Sequence, residues 1–339
     1  MFNHVYYSNV ILQGELPMKD FQKELGNELL ASVSRSFFLS LRFLPARMRE
    51  ATSLAYLLAR ISDTIADTEA LPTNERLKTL GEMADAIEGG AEFPDFSNVS
   101  FGDGLTDGEK ALLLKANQCI RWLNVQTEDI AKTIRKVMRS IIKGQSNDLK
   151  KFSSNNPESL RSDEELDAYL YDVAGSVGVF WTEVGFIAYG NKFSTVDSEV
   201  LAQLGADYGK SLQLINILRD FPQDIILGRC YFPGDFKDYS GQQIWEEVSE
   251  IWMSRCRSLM LSAPKYVESL KSSKVRFSTG LPAVIGAETL NLIQGSDWSG
   301  IEKRIKVNRK KIKAMLFQTA MRSFTKRGIS NLISGALES

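Results

Sequence analysis

Two stretches far apart in the chain each carry a pair of aspartates four residues apart in an otherwise apolar helical pattern. In GKSLQLINILRDFPQDIILGRCYFP, residues 209–233, Gln213, Asn216, Asp220 and Asp224 form one polar stripe. Leu212, Ile215, Leu218 and Ile225 form the opposite, core-like face. Residues three or four apart share a helix face, so each carboxylate pair lies along one line. Unpaired buried charge is costly, so such acids must hold a cation or line a wet cavity. YLLARISDTIAD, residues 56–67, repeats the device with Asp63 and Asp67, preceded by Tyr56 and Arg60. Taken singly, either pair also reads as a solvated face. The Leu and Ile around both leave little surface, and together they read as facing walls of one cavity. Pro222 lies between the acids of the later pair. It is expected to end the helix there and leave Asp224 in a turn.

Helical periodicity runs through nearly the whole chain, and no alternating strand pattern of any length occurs. The spacing predicts helices over 19–33, 46–68, 74–88, 109–124, 125–149, 163–189, 198–220, 242–270, 275–293 and 301–317, with a weak helical tail beyond. Ser34 to Ser36 reads as a capped helix start. Residues 89–107 read as a loop and 150–162 as a polar connection. Pro264 is expected to break one helix and Pro282 to kink another. The expectation is an all-α fold: a single-domain helical bundle around a central apolar cavity. An N-terminal extension would cover 1–18, the bundle 19–320 and a C-terminal tail 321–339.

One shortage narrows the chemistry. The 339 residues include a single histidine, His4, which leaves almost no material for serine–histidine catalysis or histidine metal sites. Cys119, Cys230 and Cys256 are scattered and odd in number, which disfavours a disulfide framework or zinc knuckle and fits a reducing compartment. Oxygen ligands alone favour Mg2+ or Mn2+. A net charge of -1 argues against nucleic acid as a partner. No signal peptide, 18-residue apolar run or C-terminal anchor helix is evident. A cytoplasmic protein, touching the membrane peripherally, is therefore expected. The oligomeric state is not legible.

Five segments in order resemble the squalene and phytoene synthase family of head-to-head prenyl-coupling enzymes. They are SRSF at 34–37, YLLARISDTIAD, YLYDVAGSVG at 169–178, QLINILRDFPQDI at 213–225 and GRCYFP at 228–233. The stretch VRFSTGLPAVIGAETL, 275–290, resembles squalene synthases more than phytoene synthases. The resemblance implies that Asp63, Asp67, Asp220 and Asp224, with Asn216, bind Mg2+ and through it diphosphate. It implies diphosphate contacts from Ser34, Arg35, Arg60, Arg219 and Arg229, whose guanidinium forks suit phosphate. Tyr169 would stand by the reacting carbons, with Tyr56, Phe37, Val173, Gly175 and Gln213 lining the same site. Two departures stand out: Ala66, where members often carry Glu, and Pro222.

The reaction implied is coupling of two farnesyl diphosphates through presqualene diphosphate, with NADPH reduction to squalene. The released diphosphate, or Tyr169 as a relay, would take the proton. The alternatives are a dehydrosqualene or phytoene synthase without reduction, and a non-catalytic helical scaffold. Gly175 and Gly178 read either as a helix-packing stripe or as a smooth wall beside an isoprenoid. Phe180 and Trp181 read as core. The basic run KRIKVNRKKIK, 303–313, reads as a solvated face, a membrane contact or the seat of the NADPH phosphate through Lys303, Arg304 and Lys306. No Rossmann glycine motif accompanies it.

Overall fold

The computed structural model describes residues 28–34, 37–68, 70–90, 92–96, 104–152 and 158–338. The expected extension, Arg35 and the side chain of Phe37 lie outside the described residues. The described chain begins with two short helices, α1 (Leu30–Ser34) and α2 (Phe37–Phe43). It continues through α3 (Ala46–Asp67), α4 (Thr73–Glu88), α5 (Asp107–Leu114), α6 (Ala116–Asn124) and α7 (Glu128–Lys151). Next come α8 (Asp163–Leu170), a π-helical turn (Tyr171–Gly175) and α9 (Ser176–Tyr189) in one run. The 29-residue α10 (Ser198–Ile226) follows. The rest comprises α11 (Gly241–Met260), α12 (Ser262–Ser269), α13 (Ser273–Gln294), α14 (Trp298–Glu302), α15 (Arg309–Arg322) and α16 (Gly328–Glu338). Two-residue strands β1 (Glu158–Ser159) and β2 (Arg229–Cys230) pair in parallel, Glu158 opposite Arg229. This pairing pins the chain just after α10.

The core is built in two halves. One joins α3, α4, α6 and α7 around Leu54, Ile61, Leu80, Trp122 and Met138. The other joins α10 to α13 with α15 and α16, around Leu214, Phe221, Phe232, Cys256 and Leu290. The run from α8 to α9 lies between them and packs along α10. Its close approach depends on glycine. A Cβ at Gly178 would sit 1.9 Å from the Gly205 carbonyl oxygen, and one at Gly209 2.3 Å from that of Ala174. The small residues therefore do bring two backbones together, which is one of the two readings of that stripe. Residues 163–192 are also the one described stretch long and apolar enough to cross a bilayer by composition. In this fold the run packs against α3, α7 and α10 and lines part of the central cavity.

Several helix ends depart from the sequence expectation. Helix α10 continues through Pro222 to Ile226, so Asp224 stays on the helix rather than in a turn. A proline inside a helix costs about 3 kcal/mol. Here its neighbour Phe221 is buried against Phe232, Trp245 and Trp298, with centroids 5.5, 5.6 and 6.2 Å away. That aromatic packing offsets the lost bond. Near Pro264 the break falls earlier, at Leu261, which places the proline in the first turn of α12, where its missing N–H is harmless. Helix α13 runs unbroken across Pro282. Residues 303–308 are not helical, and the chain after 321 forms α16, whose Ile329 and Ile333 are fully buried. Their spacing of four, with Leu337 four further on, is the stripe that seats this helix on α13.

Candidate active site

A cavity of about 670 Å3 opens between the two core halves. Helix α3 contributes Tyr56, Arg60, Asp63 and Asp67; α10 contributes Gln213, Asn216, Asp220 and Asp224. Helix α7 adds Gln145 and Asp148, while the strand after α10 adds Arg229 and then Tyr231. Tyr169 of α8 stands between these groups and an apolar remainder that includes Val137, Ile141, Val173, Val177, Phe180 and Trp181. The two aspartate pairs, whose first members are 157 residues apart in the chain, thus face one space.

Each acid has a cationic neighbour. Arg60 donates to Asp63 at 2.6 Å and also to Glu109 of α5. Arg219 pairs with the adjacent Asp220 through Nε at 3.0 Å, and Arg304 of the 303–308 segment reaches the same carboxylate at 3.3 Å. Arg229 stands 3.9 Å from Asp148 and exerts its field on Asp67 and Asp224 as well. Asn216 donates to Gln213 at 3.3 Å, and the Tyr56 hydroxyl donates to the Val33 carbonyl at 3.2 Å. The rings of Tyr169 and Tyr231 stack, and both hydroxyls lie in the field of the Asp148 carboxylate.

The carboxylates are crowded. Burial, then repulsion from Asp67, push Asp63 up to about 6 against the pull of Arg60. Its side chain nonetheless keeps 43% of its surface, open to the cavity. Burial raises Asp148 to about 6 and Asp224 to about 7, both opposed first by Arg229. Asp67 is raised as well, by burial. Burial holds the Tyr169 hydroxyl far above its ordinary value, so it stays protonated at neutral pH. One buried oxygen of Asp148 and that of Gln145 have no hydrogen-bond partner. Among the described residues no three carboxylates converge closely enough to cage an ion. That arrangement suits Mg2+, which commonly takes one or two carboxylates and completes its shell with water and phosphate oxygens. An oxygen-only donor set, crowded acids and orphaned carboxylate and amide oxygens together fit a divalent cation here.

Other expected residues lie elsewhere. Ser34 is buried, its hydroxyl bonded back to the Leu30 carbonyl. Gly175 does not line the cavity but packs against Tyr171, Lys210 and Ala206. Arg219 reaches the site only through Asp220. Lys303 and Lys306 are exposed on the segment that carries Arg304, itself in the left-handed region at φ 57°. Ala66 is buried outside the cavity lining, so the departure there removes no cavity-facing group. Phe180 and Trp181 belong to the core and also touch the cavity. Sequence reasoning missed Asp148, Gln145, Tyr231 and Glu109. Tyr231 stood within GRCYFP without an assigned role, and Asp148 was hidden in the polar run SNDLKK.

The chain is also similar to known proteins. A family model described as squalene/phytoene synthase matches residues 30–311. A squalene synthase of Dictyostelium discoideum is 27% identical over 294 residues, covering 81% of this chain and 66% of that protein. The chain spans less than half the length of several other curated squalene synthases. Among solved structures, a TcSQS complex with the ligand BPH1237 aligns with a TM-score of 0.72 at 20% identity, covering 94% of this chain and 99% of that one. A dehydrosqualene synthase complex aligns at 0.62 and 18% identity, covering 90% and 98%. At these identities the structural likeness speaks to the fold.

Proposed function

The chain belongs to the squalene/phytoene synthase family, and on that footing we propose that it joins two farnesyl diphosphates head-to-head through presqualene diphosphate and reduces the product to squalene with NADPH. What supports this most is the meeting of Asp63, Asp67, Asp220 and Asp224 with Arg229 over one cavity that also has an extensive apolar wall. The polar end suits two diphosphates and the apolar end two isoprenoid chains.

Asp63, Asp67, Asp220 and Asp224, assisted by Asn216, are the groups that would hold Mg2+. Bound there, the metal supplies charge neutralisation for a departing diphosphate. Arg60 and Arg229 add fixed donors for the same oxygens, and such preorganised charge acts where charge develops in the transition state. Arg219 and Arg304, now on Asp220, are placed to turn toward a diphosphate once that acid binds metal. The walls from Val137 to Trp181 keep water from the allylic cation.

Closing the cyclopropane of presqualene diphosphate releases a proton. With no histidine among the described residues that line the cavity, the chain's own route for it is Tyr169 to Tyr231 to Asp148. The Asp148 carboxylate near 6 is basic enough to take a proton transiently and acidic enough to lose it again. Arg304, which reaches Asp220, and the exposed Lys303 and Lys306 on the same segment suit the phosphates of NADPH, which supplies the hydride.

Incubating the purified chain with farnesyl diphosphate and Mg2+, with and without NADPH, tests the reading. Squalene formed only with NADPH supports it. Dehydrosqualene formed regardless of NADPH replaces it with the non-reducing activity. Absence of Mg2+-dependent diphosphate release leaves a helical scaffold.

A further inference from the structure

The exposed apolar residues of this protein are not evenly scattered. Helix α15 buries Met315 and Thr319 on its inner face, and Ser323 after it. Its outer face carries Phe317 at 68% exposure and Met321 at 58%, and the turn beyond carries Phe324 at 75%. These three are spaced four and then three residues apart. Single exposed hydrophobes are ordinary, but three of this size following one another along a short helix and the turn after it are not.

The charge around the trio has one sign. Between residues 309 and 327 there are seven basic residues and no acidic one. Lys311 is paired with Glu288 and Arg327 with Glu268. Arg309, Lys310, Lys313, Arg322 and Lys326 are exposed without an ion-pair partner among the described residues. The face is held rigidly. Buried Arg276 of α13 donates through Nε to the Ser323 carbonyl at 2.9 Å and through Nη1 to Leu270 at 2.8 Å, fastening the end of α15 to that of α12. Phe43, 51% exposed, lies at the same end of α13, edge-on to Phe277 at 4.9 Å.

We propose that the outer face of α15 and the turn after it form a docking surface for an anionic lipid bilayer. Phe317, Met321 and Phe324 enter the headgroup–acyl boundary, and the unpaired lysines and arginines meet lipid phosphates and carboxylates. An apolar row flanked by cations is how a helix lies in a membrane interface rather than across it. A protein partner is the weaker occupant, because the surface lacks the mixed charges that fix orientation between proteins. This surface differs from the Lys303–Lys306 segment, whose Arg304 is turned inward onto Asp220. The cavity wall includes Leu41 of α2 with Ser278, Thr279 and Pro282 of α13, the elements that carry Phe43 and Arg276. If the proposed coupling reaction holds, the apolar product forms directly behind this surface, but docking itself requires no turnover.

The test is co-sedimentation of the full chain, without substrate, with phosphatidylcholine vesicles and with vesicles also containing phosphatidylserine. Binding to the anionic vesicles is expected, weakening as salt rises. The triple variant Phe317→Ser, Met321→Ser, Phe324→Ser should bind at least about tenfold more weakly. The variant Arg309→Ser, Lys313→Ser, Arg322→Ser should lose most of the salt dependence. Both should keep the parent's circular dichroism and farnesyl diphosphate affinity in detergent-free buffer. Two results would overturn the proposal: anionic-vesicle binding absent or unchanged in both variants, or a dimer in light scattering that the apolar variant abolishes, which would make the face an interface between copies.

Discussion

The ring of Tyr169 lies stacked on that of Tyr231, centroids 4.9 Å apart and planes 25° from parallel. Asp148 exerts its field on both hydroxyls, so the stack lies beside a buried carboxylate on a different helix. Phe152 closes the outer side of Tyr231 edge-on at 5.2 Å. If this chain carries the proton, Tyr169→Phe and Asp148→Asn should each slow formation of presqualene diphosphate by about 10²–10⁴-fold. Binding of a farnesyl diphosphate analogue should change little. Single-turnover kinetics beside calorimetric binding checks the split, and unchanged turnover in Asp148→Asn removes Asp148 from the route.

The crowded acids make stability depend on pH in a stated direction. In the unfolded chain these carboxyls titrate near 4. In the fold Asp63 and Asp148 titrate at about 6 and Asp224 at about 7. The native state therefore holds more protons than the unfolded state between those values. Stability of the metal-free protein must fall as pH rises from about 4 to 7, then level off. Mg2+ with inorganic diphosphate should restore it above pH 7, where the acids are ionised and free to bind. Thermal melts across that range, with and without the two ligands, measure both effects.

Glycine 178 gives a structural test. Its Cβ would fall 1.9 Å from backbone of α10, which cannot yield as a flexible side-chain tip does. Gly178→Ala should cost about 3 kcal/mol by overpacking, lowering the melting temperature by roughly 4 °C. Gly81→Ala, where nothing lies within 4 Å, should be neutral or slightly stabilising. Differential scanning calorimetry of the two variants separates close packing from a general intolerance of substitution.

Much of this was legible in the residues. Leu, Ile and Ala at helical spacing foretold the bundle, and the placement of Asp63, Asp67, Asp220 and Asp224 four apart on apolar helices foretold facing walls. Asp148 was not legible, because its meaning comes from Arg229 and Tyr231, which the chain brings to it over more than eighty residues. Pro222 misled for a related reason. Local rules end a helix at proline, but the packing of Phe221 on Phe232, Trp245 and Trp298 is a tertiary effect that overrides them. The helical tail expected beyond 317 is present as α16, and the sequence alone did not show that α13 supplies the surface it seats on.

The account rests on carboxylates from α3 and α10 acting on one metal-bound diphosphate. The most direct measurement is calorimetric titration of a non-hydrolysable farnesyl diphosphate analogue into wild type, Asp63→Asn and Asp220→Asn, with and without Mg2+. Wild type should bind tightly only with Mg2+, and each variant should lose at least about tenfold, or 1.4 kcal/mol, while keeping the parent's circular dichroism. Analogue binding that is equally tight without Mg2+, or unaffected by both substitutions, would contradict it.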